Sequence, residues 1–449
     1  MSRKIPEANS RSPRDAAVRR RPPLGVFYGW WIVAVAVTMA FFYSGFFFYA
    51  LTLFITPIRE EIPTVADQIN PAFFLSGIVG AILAPGLGAF FDRRGPKLVV
   101  GGGMVAGGAG FYLMSVMSEP WHIYLALPLA GLGPVAMWQG AIPAVANWFV
   151  RLRGRALGLT MVGLGLGGLL VQPSLILMNE TGWRTAFLVM AVVIWAVLLP
   201  MTLILRRRPE DHGLLPDGAA IEDEVPVDGS TDEAGEEGST FMEAMRSPVF
   251  WTVALVFSFA FWPIGGLQIH MAPFMEELGY SRNTAANTVG AMAIVTVVGR
   301  LGGGWLADMM DQRKATMLAL TLQAIGTAAF ALILPGGFAR SFFLLGVFFL
   351  AFAPGFGGIT VLQPAVVGTY FGRKAFGAIQ GVLWTVTSLS FSVAPLILGL
   401  LRDAFDGYRP GLTLFAILSV LGALTVLLLP RPGLISAAKD PVAEEVLAR

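Results

Sequence analysis

The stretch GLGAFFDRRGPK at residues 86–97 returns in altered form as GGGWLADMMDQRK at residues 302–314. Gly88 and Asp92 of the first match Gly304 and Asp308 of the second, each pair 216 positions apart. Both stretches close a long apolar run and lead into basic residues. A second echo follows: Pro143-Ala-Val precedes WFVRLRGRALG, and Pro364-Ala-Val precedes YFGRKAFG. Two half-length units that repeat in parallel are one of the plans on which polytopic membrane proteins are built.

Composition points the same way. Of 449 residues, 55% are hydrophobic and only 13% charged, whereas a soluble domain is about a quarter charged. Gly and Pro are abundant, and membrane helices tolerate both better than soluble ones. Cysteine is absent, which excludes disulfides, thiol catalysis and Cys-based metal sites. The three histidines, His122, His212 and His270, are too scattered to suggest a metal cluster. The net charge of +2 gives no sign of a nucleic-acid partner.

A spanning helix needs about 20 mostly apolar residues. Twelve stretches qualify: 28–56, 70–91, 97–117, 121–149, 156–178 and 183–205, then 249–274, 284–307, 315–335, 341–369, 376–401 and 411–430. The expected domains are a disordered tail over 1–27, six-helix bundles over 28–205 and 249–430, an acidic, loosely ordered linker over 206–248, and a second tail over 431–449. With the N-terminus in the cytoplasm, 24 of the 31 Lys and Arg fall on the cytoplasmic side and six on the other. That bias supports both the count and an orientation with both termini cytoplasmic. The basic N-terminus could pass for the charged part of a signal peptide, but the apolar run after it is too long for one. The expected location is the inner (plasma) membrane, multi-pass, with the lipid bilayer as partner.

The remaining basic residue is Arg300, deep in AANTVGAMAIVTVVGRLGGGWLAD. A charge at mid-membrane costs about 2.5–3.5 kcal/mol on insertion scales and is usually kept for function. A fixed cation there suggests an anionic substrate. His270 could titrate near neutral pH, as a proton acceptor or a second anion contact. Tyr43, Tyr49, Gln139, Gln172, Gln268, Gln363 and Gln380 could face a cavity; each could equally satisfy a neighbouring helix.

Three motifs and the repeat resemble a known family. The run Gly88, Asp92, Arg93, Gly95, Lys97 resembles the conserved loop motif of the major facilitator superfamily, with Pro96 where a basic residue is common. Tyr28-Gly29-Trp30-Trp31 and WFVRLRGRALGLTMVG at 148–163 resemble the two conserved motifs of the monocarboxylate-transporter family and its bacterial relatives, near the oxalate–formate antiporters. The resemblance implies an all-α membrane protein with the major facilitator fold: 12 transmembrane helices in two pseudo-symmetric six-helix bundles. It implies gating roles for Asp92, Arg93 and Asp308, the two aspartates meeting the N-terminal ends of the eleventh and fifth helices. It also implies that Arg300, four residues before Gly304, holds a substrate carboxylate.

The sequence departs from that family in three places. Phe48 or Tyr49 stands where some members have a first-helix Lys. Thr296 stands where some have an Asp one turn before the Arg. The eleventh-helix run GAIQGVLWTVTSLSFSVAP lacks the second cation of the oxalate–formate antiporters.

The expected function is secondary transport of small organic anions, foremost monocarboxylates of the lactate or pyruvate type, by alternating access, with a symported proton as one coupling mode. Substrate contacts are expected from Arg300, Tyr49, Gln139, His270 and Gln363. Alternatives are an oxalate–formate or small dicarboxylate exchanger, and a non-transporting membrane receptor or sensor on the same fold. Glycine-rich runs lie inside apolar helices, not between strand and helix as a phosphate loop would. No enzyme activity, cofactor or metal is therefore expected.

Overall fold

The computed structural model describes residues 26–66, 68–218, 238–333 and 338–431. Residues 1–25, 67, 219–237 of the acidic linker, 334–337 and 432–449 lie outside the described residues.

The first repeat folds as α1 (Gly29–Ala50), α2 (Ile69–Arg94), α3 (Pro96–Ser115), α4 (Pro120–Trp148), α5 (Arg153–Thr181) and α6 (Trp183–Ile204). The second folds as α7 (Pro248–Glu277), α8 (Arg282–Met309), α9 (Gln312–Ala331), α10 (Phe338–Phe371), α11 (Phe376–Phe405) and α12 (Arg409–Leu428). Local chemistry sets several starts. Proline opens α3, α4 and α7, where its missing N–H costs nothing. Ser247, Ser281 and Asp311 cap α7, α8 and α9 through their side-chain oxygens. The α2–α3 turn needs Gly95, at φ +80°.

Eleven of these helices are long and apolar enough to cross a membrane. The other long helix is α9, which opens on Gln312, Arg313 and Lys314 and carries Gln323. It packs between α10 and α12, and Gln323 donates to the Ala260 carbonyl of α7 at 2.9 Å. Large apolar side chains such as Ile82, Ile294, Phe342 and Leu350 stay exposed, as a lipid-facing surface requires.

The halves meet along two equivalent seams, α2 against α11 and α5 against α8. Both seams are built on glycine. A side chain at Gly88 would strike the Gly377 carbonyl, and one at Gly154 would strike the Gly304 carbonyl. Without a hydrophobic drive between helices in lipid, such close backbone contact supplies the packing energy. Within the first half, α1 and α4 leave regular α-geometry in mid-course, with π-helical turns at Ser44–Ala50 and Met137–Ala141. Such turns mark sites where local function outweighs ladder regularity.

Candidate functional site

Arg300 is held in place by backbone contacts on both sides of α8. Gly299 and Gly303 let α8 touch Pro354 and Gly358 of α10, while Gly158 of α5 sits against the Arg300 carbonyl. The side chain is 5% exposed. Its guanidinium lies beside Gly165 of α5, with its carbon 5.9 Å from the Phe356 ring centre, within cation–π range. Among the described residues, Nε and Nη1 have no hydrogen-bond partner. Among the described residues no carboxylate faces it across the cleft, and burial of a charge without a counter-ion costs several kcal/mol.

The guanidinium forms the floor of a cleft with a cavity volume of ≈ 70 Å³. The wall comes from one face of α7 (Ile264, Leu267, Gln268, Met271) and one face of α8 (Val289, Met292, Ala293, Thr296), with Phe352 and Phe356 of α10. The first half contributes Tyr49 from the π-helical turn of α1. The Thr296 hydroxyl donates to the Ala293 carbonyl at 2.6 Å.

The other expected contacts lie off this wall. Gln139 is fully buried in the π-helical turn of α4, and neither of its amide atoms has a partner among the described residues. Gln363 is fully buried and donates to the Thr387 hydroxyl at 3.2 Å. His270 Nε2 meets the Pro395 carbonyl at 3.0 Å and Nδ1 meets the Tyr408 hydroxyl at 3.1 Å. A carbonyl only accepts, so Nε2 carries the hydrogen and Nδ1 accepts from the phenol. Burial pushes the Tyr408 phenol up, which keeps it a donor. His270 thus ties α7 to α11 and to the turn before α12.

One end of the molecule is latched twice. Asp92 accepts from the Gly377 and Ala378 amides at 3.0 and 2.8 Å, in the first turn of α11. Asp308 accepts from the Gly154 and Arg155 amides at 2.6 and 2.9 Å, in the first turn of α5. Both carboxylates face the positive end of a helix dipole. The Arg155 side chain adds a 3.7 Å contact to Asp308, and Arg93 is exposed. Deeper in, Trp138 of α4 and Trp384 of α11 stack across the halves at 4.6 Å.

The start of the linker adds a strap at the same end. Asp217 accepts from the amides of Val150, Arg151 and Leu152 at 3.0, 2.8 and 3.1 Å. Seven residues earlier, Glu210 pairs with Arg373, in the turn between α10 and α11, through two bonds of 2.8 and 3.0 Å. Sequence reading expects loose order throughout 206–248, yet residues 206–218 are bonded to both halves. Pro216-Asp217-Gly218 is readable as a turn, but its partners are far off in sequence. The two sequence motifs meet here also: Phe27 and Tyr28 pack on Trp148, and Trp30 on Phe149.

At the opposite end, each half is tied within itself. Glu61 accepts from Trp183 Nε1 at 2.6 Å and from Arg184 at 3.0 Å, and Arg184 reaches the Met117 carbonyl at 2.7 Å. Hydrogen bonding to Arg184 holds the Glu61 carboxyl below its ordinary range. In the second half Glu277 pairs with Arg402 at 3.2 Å, and Arg409 reaches the Ile333 carbonyl at 3.3 Å. Glu61 and Met117 lie 216 positions before Glu277 and Ile333, the same spacing as the latch aspartates.

Two duplicated six-helix halves joined at one end, with a cleft above the joint, are the plan of a class of membrane transporters built from parallel repeats. The chain belongs to the Major Facilitator Superfamily, whose family model matches residues 37–395. It is a transporter related to oxalate:formate and monocarboxylate transporters. It is 25% identical to the oxalate:formate antiporter of Oxalobacter formigenes over 411 residues, covering 90% of this chain and 92% of that one. It is 28% identical to human monocarboxylate transporter 11 over 422 residues, covering 91% and 84%. Among solved structures, the human organic anion transporter MFSD10 superposes with a TM-score of 0.68 at 16% identity, over 90% of this chain and all of that one. The proton:xylose symporter XylE gives 0.65 at 13% identity, over 90% and 96%. These two likenesses concern the fold.

Proposed function

We propose that the protein carries small organic anions, foremost monocarboxylates, across the cell membrane by alternating access, with Arg300 gripping the carboxylate. One observation carries this reading: a buried guanidinium at the floor of the cleft with two nitrogens unpartnered. A planar, permanently charged fork suits a carboxylate in geometry and in charge. Two relatives named for monocarboxylates and for oxalate and formate support the substrate class.

Among the described residues, Arg300 is the one charged group on the cleft wall. A single cation neutralises one carboxylate and leaves a second one bare, which favours monocarboxylates over oxalate or succinate. No carboxylate or imidazole lines the cleft among the described residues. The charge of the loaded site is therefore set by Arg300 and the substrate. Asp92, Asp308 and the strap close the cytoplasmic end, with both termini on that side, and Arg93 adds charge to that surface. The cleft then opens outward.

The test is a ligand-induced thermal-shift panel on purified protein beside Arg300→Gln. Lactate, pyruvate, acetate, formate, oxalate, succinate, sugars and cations would be compared. A ligand at 100 times its dissociation constant stabilises by about 2.7 kcal/mol. Shifts with monocarboxylates that vanish in a folded Arg300→Gln variant are expected. Shifts with neutral or cationic compounds that survive the substitution would overturn the reading.

A further inference from the structure

Eight of the twelve residues lining the cleft are apolar, more than the carboxylate of lactate or formate needs. They are also ordered in space. On α8, Val289, Met292, Ala293, Thr296 and Arg300 follow the 3.6-residue period of one helical face. Arg300 lies at the end of that face nearer the Asp308 latch and is buried, and Val289 lies at the far end, half-buried. From Arg300 to Val289 this face is roughly 16 Å long at 1.5 Å per residue. Leu267 and Met271 of α7 and Phe352 of α10 face the same space. The one hydroxyl on this α8 face, that of Thr296, donates within its own helix.

Resting on the reading of Arg300 as the carboxylate anchor, we infer that the rest of the cleft is a tail subsite, and that the preferred substrates are monocarboxylates with an extended apolar or aromatic tail. A carboxylate seated on Arg300 directs its substituent past Phe356 and between Met271 and Met292. Two unbranched thioether side chains let that passage adapt to straight, branched or planar tails. A short, hydroxylated acid such as lactate leaves the passage wet and gains little from it. A second carboxylate at the far end of the tail meets an apolar wall and loses its hydration without a partner.

The experiment measures dissociation constants for acetate, butyrate, hexanoate, octanoate and phenylacetate, with lactate and adipate beside them. Hexanol and hexanamide control for partition into detergent. Burial of each added methylene tightens binding about fourfold, so hexanoate should bind far better than acetate, and adipate far worse than hexanoate. Met292→Gln and Met271→Gln, near-isosteric polar replacements on the passage, should flatten the gradient. Equal affinities along the series, with binding still dependent on Arg300, would overturn the tail subsite and leave the anchor standing. Binding that persists unchanged in Arg300→Gln would overturn the anchor and this inference with it. If Arg300→Gln does not fold, the wild-type gradient and the methionine variants decide the matter alone.

Discussion

A Cβ at Gly165 would fall 2.7 Å from Nη1 of Arg300 and 2.5 Å from a Val297 methyl. The guanidinium can swing aside but the β-branched Val297 is stiff in a helix, so Gly165→Ala should cost a moderate amount of stability, about 1–3 kcal/mol. It should also displace the guanidinium and weaken monocarboxylate binding about tenfold or more, since even a modest misplacement of a charge-assisted bond forfeits much of its strength. Calorimetric titration on the folded variant checks this, and unchanged affinity would mean that the anion does not sit where Arg300 now points. Gly158 is different, because a Cβ there meets the Arg300 carbonyl and the Gly304 backbone. That substitution should push α5 from α8. At this scale the sequence is legible where a residue breaks its own local pattern. Arg300 in an apolar run does so; Met271 and Met292 look like any membrane methionine. Their position on the cleft depends on how α7, α8 and α10 come together. Gln139 and Gln363 are polar in apolar runs and are indeed buried, but polarity alone does not say which cavity a side chain faces.

The two latches are single helix ends gripped by single carboxylates. Asp92→Asn keeps one acceptor but removes the charge and one of two amide bonds. Hydrogen bonds to charged groups contribute about 1.5–3 kcal/mol, so the latched form should lose roughly tenfold to a hundredfold in population. The naturally cysteine-free chain offers a clean readout. Thr385, bonded to the Ala81 carbonyl across the seam at 2.7 Å, can be replaced by Cys, whose maleimide labelling should accelerate in the Asp92→Asn background. Equal labelling would remove Asp92 from the gate. The strap acts beside it. Asp217 stands at φ +59°, a backbone region that Asn also tolerates. Asp217→Asn therefore removes charge without adding strain and should loosen the same end. Helix boundaries and the duplication can be read from sequence, because proline, glycine and charge act locally, whereas the latch role of the two aspartates comes from the family resemblance. The strap cannot, because its three amide partners lie 65 to 67 positions from Asp217.

Taken as a whole, the molecule carries one charge into its central cleft. A monocarboxylate on Arg300 makes the loaded site neutral, whereas the emptied site must move with a bare guanidinium. Burial of an unpaired charge costs several kcal/mol, and each 1.4 kcal/mol is a factor of ten. Exchange of labelled monocarboxylate between proteoliposome lumen and medium should therefore exceed net efflux by about tenfold or more. Exchange should also be insensitive to an imposed potassium diffusion potential. Net uptake driven by a pH gradient as fast as exchange would contradict this charge account. The two halves and their apolar runs follow from hydropathy and repetition, with α9 the one of the twelve expected spans that is not among the helices apolar enough to cross a membrane; the pairing of the halves at the two aspartates follows from the family resemblance. Which end is shut, and where the cleft lies, depend on bonds between residues more than a hundred positions apart, such as Asp92 with Gly377 and Asp308 with Gly154.

The cleft wall belongs almost wholly to the second half, with Tyr49 its one lining residue from the first. The gene duplication recorded in the paired aspartates has thus ended in a division of labour. The second copy supplies nearly all of the cleft, while both copies share the door, each giving one latch aspartate. Drift in α7, α8 and α10 would change chiefly what the protein selects, while in the first half only positions that reach the cleft or its guanidinium, such as Tyr49 and Gly165, would do so. A natural lineage could acquire a new diet through one half of its gene and keep the other as inherited machinery.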